Sequence, residues 1–193
     1  MRQLIQPYIA GAEFHIKRSE KAIEYFAQLG DIQSMLFCLG RSGEKLSIID
    51  ALEFVCEYAP NSRFIEETLQ KYIREIEPLG QFSWEDELEK TPELDQLYNL
   101  CLKMGRSSKS NNPAMWYYTA AFMDDLYGNT ARASRLLSLA EKSRSSDYIK
   151  ESIKIFRIYL DAKLLPYDSY YENRLFSQLK WLDTKIQSNI DDY

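Results

Sequence analysis

The stretch from Met115 to Ser143, MWYYTAAFMDDLYGNTARASRLLSLAEKS, constrains this chain more than any other segment. It reads as two helices joined by one tight turn at Gly128-Asn129. Small residues sit where the two helices would have to touch: Ala121 on the first, Ala133 and Ala140 on the second. Antiparallel helices approach closely only where their facing side chains are small. Ala133, Leu137 and Ala140 share one face, at steps of four and three. Gly128 can end the first helix with a positive φ, and Asn129 tolerates the same region. The second helix then folds back along the first.

The same helical spacing runs through the rest of the chain. Ile9, Ala12, Ile16, Ile23 and Phe26 form one stripe that ends at Gly30. Asp31 is placed to cap a shorter helix carrying Ile32, Met35, Leu36 and Leu39, stopped by Gly40. Leu46, Ile49, Leu52 and Val55 make the next stripe, ended by Pro60. Asn61 is a cap for a helix with Ile65, Leu69, Tyr72 and Ile76 in line, closed by Pro78 and Gly80. Ser83 can cap a short helix through Trp84 and Leu88. Thr91-Pro92-Glu93 is a strong helix start, with a capping hydroxyl, Pro at the first helical position and an acid after it. That helix carries Leu94, Leu97, Cys101 and Leu102 to Gly105. The polar run RSSKSNN follows, and Asn112-Pro113 opens the hairpin. Ser146 or Asp147 caps a helix with Ile149, Ile153, Phe156 and Leu160, broken by Pro166. Asp168 caps the last, with Tyr171, Leu175, Leu179, Leu182 and Ile186 in line.

This pattern predicts an all-α chain of about ten helices in five successive pairs. Only seven Gly and six Pro punctuate it, too few for the many turns of an all-β fold. Residues 1–193 are expected to form one domain, and the polar run is where it would divide into 1–105 and 112–193. With 45 % hydrophobic and 27 % charged residues, the composition is that of a globular chain.

Charge and chemistry narrow the function classes. A net charge of −5 and the lack of a basic, aromatic-interleaved cluster argue against nucleic-acid binding. No apolar run approaches membrane-spanning length, so direct membrane insertion is not expected. Cys38, Cys56 and Cys101 lie in apolar helical contexts without CxxC spacing; they read as buried hydrophobes in a reducing, cytoplasmic compartment. His15 is the single histidine, with nothing local to make it catalytic. The Cys and His spacings offer no zinc site, and no phosphate-binding glycine loop is present, so no metal and no cofactor are expected. Asp124-Asp125, Glu85-Asp86-Glu87 and Asp191-Asp192 are adjacent carboxylates, which point in different directions on a helix. Each is expected on a solvated surface or at a helix end, and Arg132 and Arg135 are expected to face solvent.

The hairpin resembles the tetratricopeptide repeat. Over about 34 residues it places a small residue, a turn Gly, a small residue, a larger apolar residue and a small residue at that family's mutual distances. Tyr117 falls near the family's aromatic position, whereas Asp124 stands where an aromatic is usual. The resemblance implies a right-handed array of antiparallel helical hairpins, an α-solenoid whose first helices line a concave face. It implies a non-catalytic module that binds a protein or peptide, or self-associates, on that face. Trp116, Tyr117 and Tyr170 open first helices in that scheme and are the expected contacts, because Tyr and Trp combine large area with a polar tip. The helix 114–127 has no Lys, Arg or Asn for a carboxylate clamp. Two alternatives stay open: an accessory helical domain of a larger envelope or surface protein, and an enzyme working through paired carboxylates.

Overall fold

The computed structural model describes residues 20–40, 47–81 and 91–191. Among them the chain forms nine α-helices and no strand: α1 (Glu20–Leu29), α2 (Ile32–Gly40), α3 (Ile48–Tyr58), α4 (Arg63–Gln81), α5 (Pro92–Gly105), α6 (Pro113–Leu126), α7 (Thr130–Lys142), α8 (Asp147–Leu164) and α9 (Ser169–Asp191). The stripe at Ile9, Ala12 and Ile16, His15, and the short helix expected after Ser83 lie outside the described residues.

Local chemistry sets most of the boundaries. Gly30 and Gly128 adopt φ of 70° and 72°, the left-handed conformation that turns the chain after α1 and α6. Asp31 Oδ1 accepts a hydrogen bond from Ser34 N at 3.0 Å and starts α2. Thr91 Oγ1 accepts from Leu94 N at 3.2 Å, with Pro92 at the first helical position of α5. Ser146 caps α8, and Asp168 Oδ1 accepts from Tyr171 N at 2.8 Å to start α9. Ser47 and Asp50 form a reciprocal capping box on α3.

Two boundaries depart from expectation. Asn61 does not cap α4; Ser62 Oγ accepts from Phe64 N instead, and Asn61 Oδ1 accepts from Asn111 N at 2.8 Å in a distant loop. Helix α4 also continues through Pro78 to Gln81. Proline removes one backbone bond from a helix but need not end one whose apolar face is packed. Ile65, Leu69, Ile73 and Ile76 supply that face and are all buried.

The described helices pack mostly on near neighbours in sequence, consistent with a helical array. α1 lies against α2 and α3, α3 against α4 and α5, and α6 against α4, α5, α7 and α8. A single apolar core runs from Ile23 and Phe26 through Leu52, Leu97 and Trp116 to Leu160. The α6–α7 hairpin is its tightest part. Ala121, Ala133 and Leu137 are fully buried and Ala140 nearly so, which is the close approach their size permits. Gly105 plays the same part between α5 and α6: a Cβ there would sit 2.9 Å from Cε1 of Tyr117.

Ala133→Leu is predicted to lower stability by about 1–3 kcal/mol, because added methylenes at a closed helix contact force the helices apart. Ala131→Leu, on the exposed face of α7, is predicted to change it by less than about 0.5 kcal/mol. Urea denaturation of the two variants checks the difference.

Candidate functional site

The aromatic run that opens α6 is largely inside the protein. Trp116 is 1 % exposed and Tyr117 9 %, its ring lying on Gly105. Tyr118 is half-buried and meets Phe156 edge-on, with ring centroids 5.8 Å apart. In these positions Trp116 and Tyr117 serve the core and present no ring on an open surface. Tyr170 is 67 % exposed in the first turn of α9, while its neighbour Tyr171 is buried. The three expected contacts are therefore not assembled as one set of exposed rings.

Trp116 does contribute to the floor of a cavity of about 330 Å³, together with Ile65 and Met115. The N-terminal ends of α4, α6 and α8 converge on it. Glu66 is its hub: Asn112 Nδ2 and Ser146 Oγ donate to the carboxylate at 3.2 and 3.3 Å, and Gln70 Nε2 donates at 3.3 Å. A carboxylate suits a place where helix N-termini point their free N–H groups. Arg144 closes the rim, donating to the Asn111 and Ser110 carbonyls at 2.7 and 3.1 Å. The polar run after Gly105 is thus tethered from both sides, by Asn61 and by Arg144, and Ser110 is buried.

Asp124 and Asp125 stand at the C-terminal end of α6, the helix-end placement expected, but are buried rather than solvated, at 0 % and 8 % exposed. They do point in different directions. Asp124 takes a two-pronged contact from Arg132 on α7, with Nε 2.7 Å from both oxygens, and a hydrogen bond from the Tyr98 hydroxyl at 3.0 Å. Arg132 and Arg135 are exposed, as expected, and Arg132 also reaches in to pair with Asp124, whose hydrogen bond raises its pKa. Asp125 accepts from Thr130 Oγ1 at 2.8 Å and from Lys163 Nζ at 2.9 Å. Burial works to lower the Lys163 pKa, but hydrogen bonds to Tyr159 and Asp125 outweigh it and the net shift is upward. Burial, reinforced by the Asp124 charge, pushes the Tyr98 hydroxyl up to about 12. Burial also pushes the Cys56 thiol up to about 12 and the Cys101 thiol higher still, which makes both poor nucleophiles. Among the described residues no group of three or more His, Cys, Asp or Glu is placed to hold a metal ion. Nor is any helix there long and apolar enough to cross a membrane.

Among the described residues most of the exposed large apolar side chains lie on α8 and α9, where the sequence pointed to no contact except Tyr170. The two helices run antiparallel in a register set by polar pairs. Asp161 pairs with Arg174 at 2.7 Å, Lys154 lies 3.7 Å from the centroid of the Trp181 ring, and Glu151 pairs with Lys185. Tyr171 is buried and Leu175 and Leu182 are half-buried, but Leu179 and Ile186, expected in the same buried stripe, are 50 % and 59 % exposed. Phe176 is 70 % exposed, and on α8 Tyr148, Ile155 and Tyr159 are 52 %, 51 % and 48 % exposed. In that register Tyr148 stands level with Ile186, Ile155 with Leu179, and Tyr159 with Phe176. On α9 Phe176 follows Arg174 by about 200° of helical turn and Leu179 by about 140°, so this stripe points largely away from α8. The signal was present in the sequence as Tyr148, Ile155 and Tyr159 at steps of seven and four. No family model, curated protein or solved structure matches the chain.

Asp124→Ala is predicted to cost about 1–3 kcal/mol, because it takes away the buried acceptor that Arg132 and the Tyr98 hydroxyl share. Glu75→Gln, which removes only the exposed pair with Lys71, is predicted to cost less than about 0.5 kcal/mol. Chemical denaturation of both variants at neutral pH reads this directly. A second prediction concerns pH. The folded chain holds Cys56, Tyr98 and Tyr127 protonated up to about 12, above their ordinary values of 9.0 and 10.0. It therefore binds more protons than the unfolded chain in that window, and stability must fall as pH rises from about 9 to about 12. Urea midpoints measured across the window are expected to decline steadily; a flat profile would contradict the burial of these groups.

Proposed function

We propose that this chain is a non-catalytic protein-interaction module, a tetratricopeptide-like helical array acting as a scaffold for a protein partner. The observation that carries this reading is the set of large apolar side chains left exposed on α8 and α9. Tyr148, Ile155 and Tyr159 on α8 and Phe176, Leu179 and Ile186 on α9 are each about half exposed or more. Exposed large apolar side chains grouped on neighbouring helices mark places where proteins dock. The tetratricopeptide likeness is supported by the α6–α7 hairpin, where Ala121, Ala133 and Ala140 form the closed contact and Gly128 makes the turn.

The burial of Trp116 and Tyr117 moves the proposed contact surface away from the opening of α6. The buried carboxylates Asp124 and Asp125 are each occupied by a cation of a neighbouring helix, which favours a packing role over acid–base work.

Photo-cross-linking tests the reading. A benzophenone amino acid replaces Phe176 in one variant and Arg135, exposed on α7, in another, and each is irradiated in its native cell. Covalent protein adducts are expected from position 176 and not from position 135. Equal adducts from both, or none from position 176, would remove these α8 and α9 side chains as an interaction surface.

A further inference from the structure

We propose that the cavity at the N-terminal ends of α4, α6 and α8 binds a free α-amino acid with an apolar side chain. The site shares no residue with the exposed apolar side chains of α8 and α9 and stands independently of the interaction surface proposed there.

The cavity is lined by charges of both signs that no ion pair of the described residues neutralises. Glu66 is half-buried there, and its three hydrogen bonds all come from neutral donors: Gln70 Nε2 and Ser146 Oγ on Oε1, and Asn112 Nδ2 on Oε2. A carboxylate drawn this far out of water ordinarily has a cation beside it. The two arginines of the same cavity do not serve. Arg63 precedes Glu66 by three residues on α4, a spacing at which opposite charges commonly pair. Arg144 is held at the rim, but by neutral acceptors, the Asn111 and Ser110 carbonyls and Asn111 Oδ1. Its charge is positioned and left uncompensated. Among the described residues no ion pair includes Glu66, Arg63 or Arg144. With Nδ2 of Asn112 turned to Glu66, its Oδ1 is buried without a donor, so this wall holds more acceptors than donors. An ammonium group answers the Glu66 side and a carboxylate the arginines. A simple anion would meet Glu66, and a simple cation the arginines. The floor of Ile65, Met115 and Trp116 is apolar and suits an aliphatic or aromatic side chain. One small zwitterion, an apolar amino acid, meets all three demands. The volume of about 330 Å³ agrees, at the lower end of the roughly 300–1,000 Å³ of small-molecule sites.

Isothermal titration calorimetry on the full 193-residue chain tests this with L-leucine, L-methionine and L-phenylalanine. At least one is expected to bind with a Kd of about 1 mM or tighter, ordinary for a ligand of so few atoms. For that amino acid, the analogue without the ammonium group and the analogue without the carboxylate are each expected to bind at least about tenfold more weakly, the loss that follows from one missing charge-assisted hydrogen bond. Glu66→Gln keeps the shape of the side chain and is expected to abolish the preference for the amino acid over its analogue without the ammonium group. Arg63→Gln, which breaks no side-chain contact among the described residues, is expected to weaken the amino acid itself. Arg135→Gln, exposed on α7, is expected to change nothing. Circular dichroism establishes that each variant is folded, and Arg63→Gln carries the test if Glu66→Gln is not. No binding of any of the three amino acids at about 10 mM, well above the expected Kd, overturns the proposal. Analogues that bind as well as the amino acid, or folded variants that bind it unchanged, overturn it too. So does tighter binding of inorganic phosphate than of all three, which would make the cavity a site for a single negative charge.

Discussion

Two adjacent buried carboxylates hold this fold in register. Asp124 and Asp125 occupy successive positions near the end of α6, so their side chains diverge by about 100° and reach different neighbours. Asp124 ties α6 to α7 through Arg132 and to α5 through Tyr98. Asp125 ties it to the start of α7 through Thr130 and to α8 through Lys163. Their backbone carbonyls also accept from Asn129 N and Gly128 N, at 2.8 and 3.0 Å, and so close the turn itself. A buried charge is tolerated only when it is paired and hydrogen-bonded, so each of these contacts depends on the others being in place.

From that end the layout of the array follows. Small residues let α7 lie close on α6, and α8 then packs against both. The opposite end is held by polar chemistry of another kind, with Glu66 gathering donors from the α6 and α8 termini while Asn61 and Arg144 tether the loop after α5. Helix α9 is attached differently. Its polar contacts to α8 lie along one edge, and its apolar arc is wider than α8 can cover. The uncovered remainder leaves Phe176, Leu179 and Ile186 exposed.

Much of this architecture was legible because it depends on neighbours in sequence. Gly30 and Gly128 turn the chain where helical stripes stop, Thr91-Pro92 and Asp168 start helices through their own side chains, and Ala121 and Ala133 mark the close contact by size alone. The misreadings share a physical cause: each concerns a side chain whose partner is distant in sequence. Asn61 looks like a cap but is used by Asn111, some fifty positions away. Asp124 and Asp125 look solvated because acidic pairs usually are; only the placement of Tyr98, Arg132 and Lys163 makes their burial tolerable. Trp116 and Tyr117 carry the same residue types whether they pack or bind, and composition alone does not separate the two roles. Leu179 and Ile186 match a buried helix face by periodicity, yet no described element lies over them, and periodicity reports the face without reporting what covers it.

Native-state hydrogen exchange tests the central claim most directly, namely that the α6–α7 hairpin locked by Asp124 and Asp125 is the most stable unit of the chain. Amides exchange from local openings whose cost tracks burial and the interactions that must break. The account predicts the slowest exchange in the middle of α6 and α7, around Ala120–Met123 and Ala133–Leu137, with α9 opening at distinctly lower cost. Exchange in α6 and α7 as fast as in α9 would contradict it.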